Sequence, residues 1–310
     1  MSGLIVVVLA GCADPMRYAA PIATMRAGTE QVAGVVGASM AHVEADPGAQ
    51  WQFCLVAAAA AGVPLQTASA DALGDAPAGP CAVTWREARD EERVASAAIW
   101  TRHDTVHALT DYVRALEALM KADDAALEDA GQTLAHAVGA LFEAAARLPG
   151  NGALPGARQA AAGVEDLLAG LSTDYARLAT LRDAVVAADP VVSRFVALVA
   201  ADVEVAHALR TGRAPVEFAR ARPGTVMPVR TDGGQQVLEL PSAVAAFRAS
   251  DPAGAVQRLG IAHAALVRAV TDDTSRSFIE LTFAVDQFAQ AAHEVWQAYG
   301  AYTEALARSG

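Results

Sequence analysis

The sequence is poor in aromatic and in basic residues. Phe, Trp and Tyr make up only 5% of its 310 residues, although 54% of the residues are hydrophobic. Much of the apolar content is therefore alanine, the strongest helix former. The 23 Lys and Arg residues face 35 Asp and Glu residues, which gives a net charge of −12. Binding to nucleic acid or to anionic lipid depends on basic side chains, so this balance argues against both.

Cysteine and long apolar runs are scarce as well. The three cysteines are Cys12, Cys54 and Cys81, and their spacing does not match the CxxC pairs of redox or zinc motifs. After the N-terminal stretch, we find no apolar run that approaches the roughly 20 residues of a membrane-spanning helix. We therefore expect the body of the protein to be soluble.

The N-terminal stretch itself carries the clearest motif. A short apolar run from Leu4 to Leu9 is followed by Ala10, Gly11 and Cys12. A run of this length that ends in small residues is typical of a processing signal. The alternative is a buried N-terminal strand of a cytoplasmic protein. The segment Leu9-Ala10-Gly11-Cys12 resembles the lipobox of bacterial lipoprotein precursors, and the whole chain loosely resembles helical lipoproteins of Proteobacteria, a likeness that carries no activity.

The lipobox resemblance implies a location and a means of attachment. Residues 1–11 would be the signal peptide, and Cys12 would become the acylated first residue of the mature protein. Ala13 follows Cys12, where an Asp would be the inner-membrane retention signal of enterobacterial lipoproteins. The resemblance therefore implies the periplasmic face of the outer membrane, with the membrane bound through the N-terminal lipid and an envelope protein as the expected partner.

An exported chain also changes the expectation for the other two cysteines. An oxidising periplasm permits a disulfide between Cys54 and Cys81. The segment between them is rich in Pro, Gly and Ala, and closing a loop of this length would contribute about 3 kcal/mol to stability. The alternative is two unpaired buried thiols, which behave as small hydrophobes. We favour the disulfide.

Hydrophobic periodicity predicts an all-α fold, an elongated bundle of long antiparallel helices. Several predicted helices carry apolar residues seven positions apart, the pattern of helices that pack at a shallow angle. These stripes are Ile99, Val106, Val113 and Met120 with Leu109 and Leu116 between them, Val164, Leu171, Leu178 and Val185, and Leu281, Phe288, Val295 and Tyr302. Leu127, Leu134, Val138 and Leu141 share one face of another predicted helix. A stretch around Asp232-Gly233-Gly234 predicts either a small β-hairpin or an exposed loop. The predicted helices cover residues 23–44, 50–61, 91–121, 124–147, 156–188, 190–209, 251–270 and 273–307.

The breaks between these helices suggest two regions. Residues 12–84 are expected to form an N-terminal tether with Pro15 and Pro21, two helices and a loop pinned by the disulfide. Residues 85–310 are expected to form one helical bundle. Within it, we interpret Asp189-Pro190 as a helix start, with Asp as the N-cap and Pro in the first turn.

The sharpest candidate for chemistry is His103-Asp104-Thr105-Val106-His107. Two histidines four residues apart share one helix face, as in the HExxH helices that bind zinc. The motif resembles that of the zincins with Asp in place of Glu, which would make His103 and His107 ligands and Asp104 the base. Zinc needs a third protein ligand. Asp111 and Glu117 are within reach in principle, but no downstream spacing singles one out. The seven-residue pattern places the motif on the flank and back of its helix, which favours a solvent-exposed polar face.

Other candidate residues are interpreted as structural, and we predict no cofactor. The cluster Trp296, Tyr299 and Tyr302 is expected to pack in the core. The remaining histidines lie on different predicted helices without ligand spacing and are expected at the surface or boundary of the bundle: His42, His136, His207, His263 and His293.

These patterns favour a non-enzymatic, lipid-anchored scaffold or adaptor of the cell envelope, which would meet its partner through a helix face. The first alternative is a helical bundle that binds a small ligand or acts as a sensor. The second is a zincin-like metallohydrolase that uses His103 and His107.

Overall fold

The computed structural model describes residues 14–45, 97–147, 174–221, 229–232, 235–238 and 241–307. Within these ranges the chain forms a bundle of seven α-helices, one 3-10 turn and a two-stranded antiparallel ladder. The predicted all-α bundle is therefore confirmed. Cys12, Cys54 and Cys81 lie outside the described residues, so lipidation and the disulfide stay predictions.

The elements follow one another in a simple order. The chain begins with the 3-10 turn Pro15–Tyr18. The α-helices are α1 Ala19–Ala45, α2 Ala97–Lys121, α3 Leu127–Ala146, α4 Asp174–Ala221, α5 Ser242–Ala249, α6 Pro252–Asp272 and α7 Ser275–Ala307. The strands β1 Val229–Asp232 and β2 Gln235–Leu238 lie between α4 and α5.

Short connections make α2 antiparallel to α3, and α6 antiparallel to α7. The pair formed by α1 and α7, which also pack against each other, runs parallel. Tyr18 at the start of α1 contacts Phe278 at the start of α7. Ser39 near the end of α1 hydrogen-bonds Tyr299 near the end of α7. The antiparallel arrangement therefore holds for α2–α3 and α6–α7, whereas α1 and α7 run parallel.

The predicted apolar stripes face the core. All apolar residues of the α2 stripe whose side chains are described are buried, as are the four of the α3 face and the four that recur in α7. These residues are Val106, Leu109, Val113, Leu116 and Met120 of α2, Leu127, Leu134, Val138 and Leu141 of α3, and Leu281, Phe288, Val295 and Tyr302 of α7. The seven-residue spacing places such side chains on one side of a helix, and burial of that side drives the packing.

The N-terminal tether was predicted wrongly for the residues after Asp14. Pro15 begins the 3-10 turn, and the carboxylate of Asp14 accepts a hydrogen bond of 2.9 Å from the backbone N–H of Met16. Pro21 lies in the first turn of α1, where the missing N–H has no acceptor within the helix. Helix α1 then packs against α2, α6 and α7. Residues 19–45 therefore share one core with the helices of the predicted bundle.

The predicted helix start at Asp189-Pro190 is also wrong. Helix α4 continues from Asp174 to Ala221 with Pro190 and Pro215 inside it. A proline inside a helix costs about 3 kcal/mol, but apolar side chains on both sides of Pro190 are fully buried in the core. These are Leu181, Ala184, Val185, Ala188, Val191 and Val192. Their packing outweighs the local preference for a break.

The length of α4 has a second consequence. By length and composition, its stretch Arg177–Pro215 is apolar enough to span a membrane. This differs from the expectation that no such stretch follows the N-terminal residues. Half of its most apolar window is buried inside the bundle, and the core helix of a soluble protein meets the same criteria. We therefore treat α4 as a core helix.

Candidate functional site

The first residues that the structure describes are attached to the bundle by hydrogen bonds and an ion pair. We call this region the N-terminal corner, defined as residues 14–18 together with residues 269–278. Tyr18 is completely buried there. Its hydroxyl donates a hydrogen bond of 2.8 Å to the carbonyl of Ala269 and accepts one of 2.7 Å from Nη2 of Arg17. Burial raises the pKa of Tyr18, and the Arg17 cation partly offsets that shift.

The helix ends around Tyr18 are themselves well capped. Asp273 ends α6 in the left-handed conformation, with φ of 49°, and its carboxylate pairs with Arg17. Thr274 and Ser277 then cap the start of α7 reciprocally. The Thr274 hydroxyl accepts from the Ser277 N–H at 3.1 Å, and the Ser277 hydroxyl accepts from the Thr274 N–H at 3.2 Å. This exchange is the hydrogen-bond pattern of a capping box.

A buried arginine joins the same corner to two further helices. Nη2 of Arg177 in α4 donates a hydrogen bond of 2.9 Å to the carbonyl of Ala122, just past the end of α2. Its Nη1 lies 3.6 Å from the sulfur of Met16. The N-terminal segment is therefore held by α2, α4, α6 and α7 together, rather than hanging from a flexible tether.

A second polar group lies in the middle of the bundle. Tyr112, His263 and Asp189 come from α2, α6 and α4. The Tyr112 hydroxyl lies 3.1 Å from Nε2 of His263, and Nδ1 of His263 lies 3.2 Å from Oδ1 of Asp189. A carboxylate accepts only, so in the neutral imidazole Nδ1 carries the proton and Nε2 accepts from the Tyr112 hydroxyl. Hydrogen bonding from His263 is the main reason why the pKa of Asp189 is lowered.

The order of Tyr112, His263 and Asp189 resembles that of a catalytic relay, but the Tyr112 hydroxyl is not accessible to a substrate. Tyr112 is completely buried, and burial raises the pKa of its hydroxyl. A buried hydroxyl that already donates to His263 has no route to a substrate. The three residues therefore act as a polar lock between three helices, in which every buried polar group has a partner.

A third polar group lies at the opposite end of the bundle, near α5. The Tyr299 hydroxyl lies 2.8 Å from both Oγ of Ser39 and Nδ1 of His207. Ser39 donates its own proton to the carbonyl of Val35 at 2.8 Å. The Tyr299 hydroxyl can therefore bridge Ser39 and His207, donating to one of them and accepting from the other.

Burial is the main reason why the pKa of His207 is lowered, and Arg210 adds to that effect, while Asp251 and the backbone of Ser250 oppose it. Among the described residues, Arg210 has no carboxylate within ion-pair distance. Its guanidinium centre lies 5.4 to 5.7 Å from the ring centres of Phe247, Tyr299 and Tyr302. Such cation–π contacts compensate part of the desolvation of a buried cation.

A cleft of about 310 Å³ lies outside this group, between α5, the start of α6 and α7. Its volume is at the lower end of the range for small-molecule sites. Most of its lining consists of small side chains, and its charged members are Asp251, Arg258 and Glu294. Asp251 already caps α6 by accepting from the N–H of Gly254 at 2.8 Å. The charged groups that the cleft offers to a ligand are therefore the Arg258 guanidinium and the Glu294 carboxylate. The rest of its wall is mostly alanine.

The structure places the HDxxH motif as the helix pattern predicts, on the flank and back of α2. His103 is half-buried, whereas Asp104 and His107 are exposed. Oδ2 of Asp104 accepts a hydrogen bond of 3.2 Å from Nη1 of Arg147. No group of three or more His, Cys, Asp or Glu residues within the described ranges is arranged to hold a metal ion. Neither Asp111 nor Glu117, the ligands that the sequence left open, completes the set.

Little in the local sequence marks the residues of either buried polar group. His207 and His263 were expected at surfaces or boundaries, and both are buried. Their partners lie 74 to 151 positions away along the chain. The one available signal was a polar residue within an otherwise apolar helix face, as for Tyr112. The prediction that Tyr299 and Tyr302 pack in the core is correct, while Trp296 is 44% exposed.

Comparison with known proteins adds no relative. No family model matches the chain, and no curated protein or solved structure is significantly similar to it.

Proposed function

We propose that this chain is a lipid-anchored protein of the periplasmic face of the outer membrane, which acts there as a scaffold or adaptor for an envelope partner. Cys12 is the attachment residue. The body binds its partner through the outward faces of its helices, because long helices with buried seams leave continuous outer faces for docking.

The observation that carries this proposal is the N-terminal corner. Only Ala13 separates Cys12 from Asp14, and two residues of chain span at most about 7 Å. Immediately afterwards, Arg17 and Tyr18 are bonded to the end of α6, and the Tyr18 ring packs against Phe278 of α7. An acyl group on Cys12 would thus be coupled directly to a rigid bundle. Such coupling suits a scaffold, since it gives the bound partner a defined position at the membrane.

The test is crosslinking in living cells followed by mass spectrometry of the captured proteins. Wild-type protein is compared with Cys12→Ser, which removes the acylated sulfur, and with Ala13→Ser, a matched control that keeps it. We expect one envelope protein to be captured by wild type and by Ala13→Ser, but not by Cys12→Ser. Equal capture by all three forms would show that the anchor is irrelevant to partner binding.

A second candidate is a small-ligand-binding bundle, which the cleft between α5, α6 and α7 favours. A ligand that binds only the folded state raises the melting temperature. A panel of small metabolites is therefore screened by thermal shift against wild type and Ala298→Leu, which narrows the cleft. A shift in wild type that Ala298→Leu abolishes supports this candidate, and the same shift in both proteins rejects the cleft as the site.

The metallohydrolase alternative has the weakest support. The residues that the structure describes supply His103 and His107 with no third ligand, and Asp104 is engaged with Arg147. A catalytic zinc site needs three protein ligands and an open position.

A further inference from the structure

Two large apolar side chains protrude from the outer face of α7. Ile279 is 67% exposed and Phe283 is 64% exposed, the highest values among the large hydrophobic residues in the described ranges. They are four residues apart, so they lie one above the other on the same side of the helix. We call this pair the α7 patch. An isolated exposed hydrophobic residue needs no explanation, but an aligned Ile–Phe pair presents a continuous apolar surface.

The α7 patch lies beside the N-terminal corner. At a rise of 1.5 Å per residue, Ile279 is about 6 Å and Phe283 about 12 Å along the helix from Ser275. Ile279 directly follows Phe278, whose ring packs edge-on against Tyr18 with 5.9 Å between the centroids. Met16 is on the same corner and is 48% exposed. The patch therefore begins one residue past this corner, and Met16 is a further exposed apolar residue of the corner itself.

The short stretch of chain between Cys12 and Asp14, the first described residue, indicates which surface covers this patch. Cys12 lies at most about 7 Å of chain from Asp14. If Cys12 carries the lipid, as proposed above, the N-terminal corner cannot move away from the membrane surface. The headgroup region extends several ångströms above the hydrocarbon core. The patch, which begins one residue past the corner, is then held close to the bilayer.

The charges near the α7 patch indicate whether its contact with the membrane is electrostatic or apolar. Next to the patch, Nε of Arg276 donates a hydrogen bond of 3.1 Å to Glu280, so this cation is neutralised locally. Asp286 lies one turn beyond Phe283 and is exposed. With a net charge of −12 on the whole chain, attraction to anionic headgroups cannot hold this face. The contact must be apolar.

We propose that Ile279 and Phe283 insert into the interfacial region of the same bilayer that holds the acyl chain on Cys12. This inference rests on the proposed lipid anchor. The lipid on Cys12 and the patch then form two attachment points on one rigid bundle, and the buried apolar area of each adds to the free energy of membrane binding. They also fix the orientation of the bundle, which the acyl chain alone leaves free to rotate.

Photocrosslinking of the full-length protein in cells tests the contact. A p-benzoylphenylalanine residue replaces Phe283 in one variant and Gln297 in the other. Both positions are exposed on α7 and lie about 21 Å apart along the helix. We expect lipid adducts at position 283 at a yield at least about fivefold higher than at position 297. A protein adduct at position 283, or equal lipid yields at both positions, overturns the inference.

The same samples separate this inference from the anchor on which it rests. Mass spectrometry of the N-terminal peptide reports whether Cys12 is acylated. An acylated Cys12 without a lipid adduct at position 283 rejects the patch and leaves the anchored scaffold intact. An unacylated Cys12 rejects the anchored scaffold, and with it the reason to place the patch at the membrane.

A serine variant tests the apolar character of the contact. Ile279→Ser with Phe283→Ser removes two exposed side chains without disturbing the core, so folding is preserved. Removal of two partly inserted apolar side chains is expected to lower the binding of the purified, unlipidated Cys12→Ser protein to phosphatidylcholine vesicles by about tenfold. Added salt is expected to leave that binding unchanged. A vesicle affinity that is the same with and without the patch, or that collapses on addition of salt, contradicts the proposal.

Discussion

Gly28 of α1 lies directly against the ring of Phe288 of α7. A Cβ atom at residue 28 would be 2.7 Å from Cε1 of Phe288, which is closer than side chains approach in proteins. Phe288 is completely buried, so its ring cannot move away into solvent. The parallel packing of α1 on α7 therefore depends on the absence of a side chain at this position.

We expect Gly28→Ala to destabilise the protein by about 1 to 3 kcal/mol, the usual effect of forcing an extra methyl group into a packed core. The free energy of unfolding, measured by denaturant titration of the helical circular dichroism signal, checks this.

Two matched glycines on the same helix pair serve as controls. Gly34→Ala meets the Trp296 ring at 2.5 Å, but that ring is partly exposed and is free to shift, so we expect a smaller loss. Gly300→Ala meets nothing within 4 Å and is expected to stabilise α7 by about 0.5 to 1 kcal/mol. Equal effects of all three changes would contradict the close packing at Gly28.

The polar lock predicts a non-additive pair of substitutions. Tyr112→Phe removes the donor to Nε2 of His263 and leaves a buried acceptor without a partner, which costs about 1 to 3 kcal/mol. The double variant, Tyr112→Phe with His263→Phe, also lacks Nε2 of His263, so no buried acceptor is left without a partner. We expect the double variant to lose less stability than the sum of the single losses, as measured by equilibrium unfolding. Additive losses would show that Tyr112 and His263 are not coupled.

The buried His207 makes stability depend on pH. Because burial lowers its folded-state pKa below the usual 6.5, the unfolded chain binds the proton more readily. Stability contributed by the neutral imidazole is therefore complete above about pH 6.5 and decreases as the pH falls below that value. We expect His207→Gln to flatten the dependence of the unfolding free energy between about pH 7.5 and 5.5.

His136 provides the control for that experiment, since it is exposed on α3. The His136→Gln variant should retain the wild-type pH profile. A profile that changes equally in both variants would mean that the effect comes from net charge rather than from burial of His207.

The HDxxH motif is expected to bind no stoichiometric metal. Two ligands that project from an exposed helix flank, without a third in the described part of the chain, do not make a zinc site. Elemental analysis of purified mature protein should give zinc well below one per chain, and His103→Ala should not change that value. Stoichiometric zinc that is lost in His103→Ala would restore the metallohydrolase hypothesis.

Local patterns predicted most of the helices in the described ranges. The stripe of α2 with Val106 and Val113, the Asp251-Pro252 start of α6 and the long final helix are all where the sequence placed them. Such features depend on residues within a few turns of one another, so a single sequence contains them. The break expected at Asp189-Pro190 failed because burial of the flanking apolar residues outweighed a local helix-start signal.

The candidate site was less predictable than the fold. Tyr18 contacts Ala269 across 251 positions of the chain, and Tyr112 meets His263 across 151. Nothing in the local sequence marks these residues as partners. The exposure of Ile279 and Phe283 was hidden for the same reason, since an apolar residue in an amphipathic helix is normally expected to face the core.

The sequence by itself determined the helical class, the faces that are buried and the lipobox hypothesis, because periodicity, capping residues and a short N-terminal motif are local properties. Only the tertiary structure decided that α1 runs parallel to α7, that Tyr18 and Arg17 lock the start of the chain to the α6–α7 junction, and that the α7 patch lies beside it. These relationships arise from how whole helices pack together. The free energy of that packing is distributed over the entire core and cannot be inferred from any one segment of the sequence.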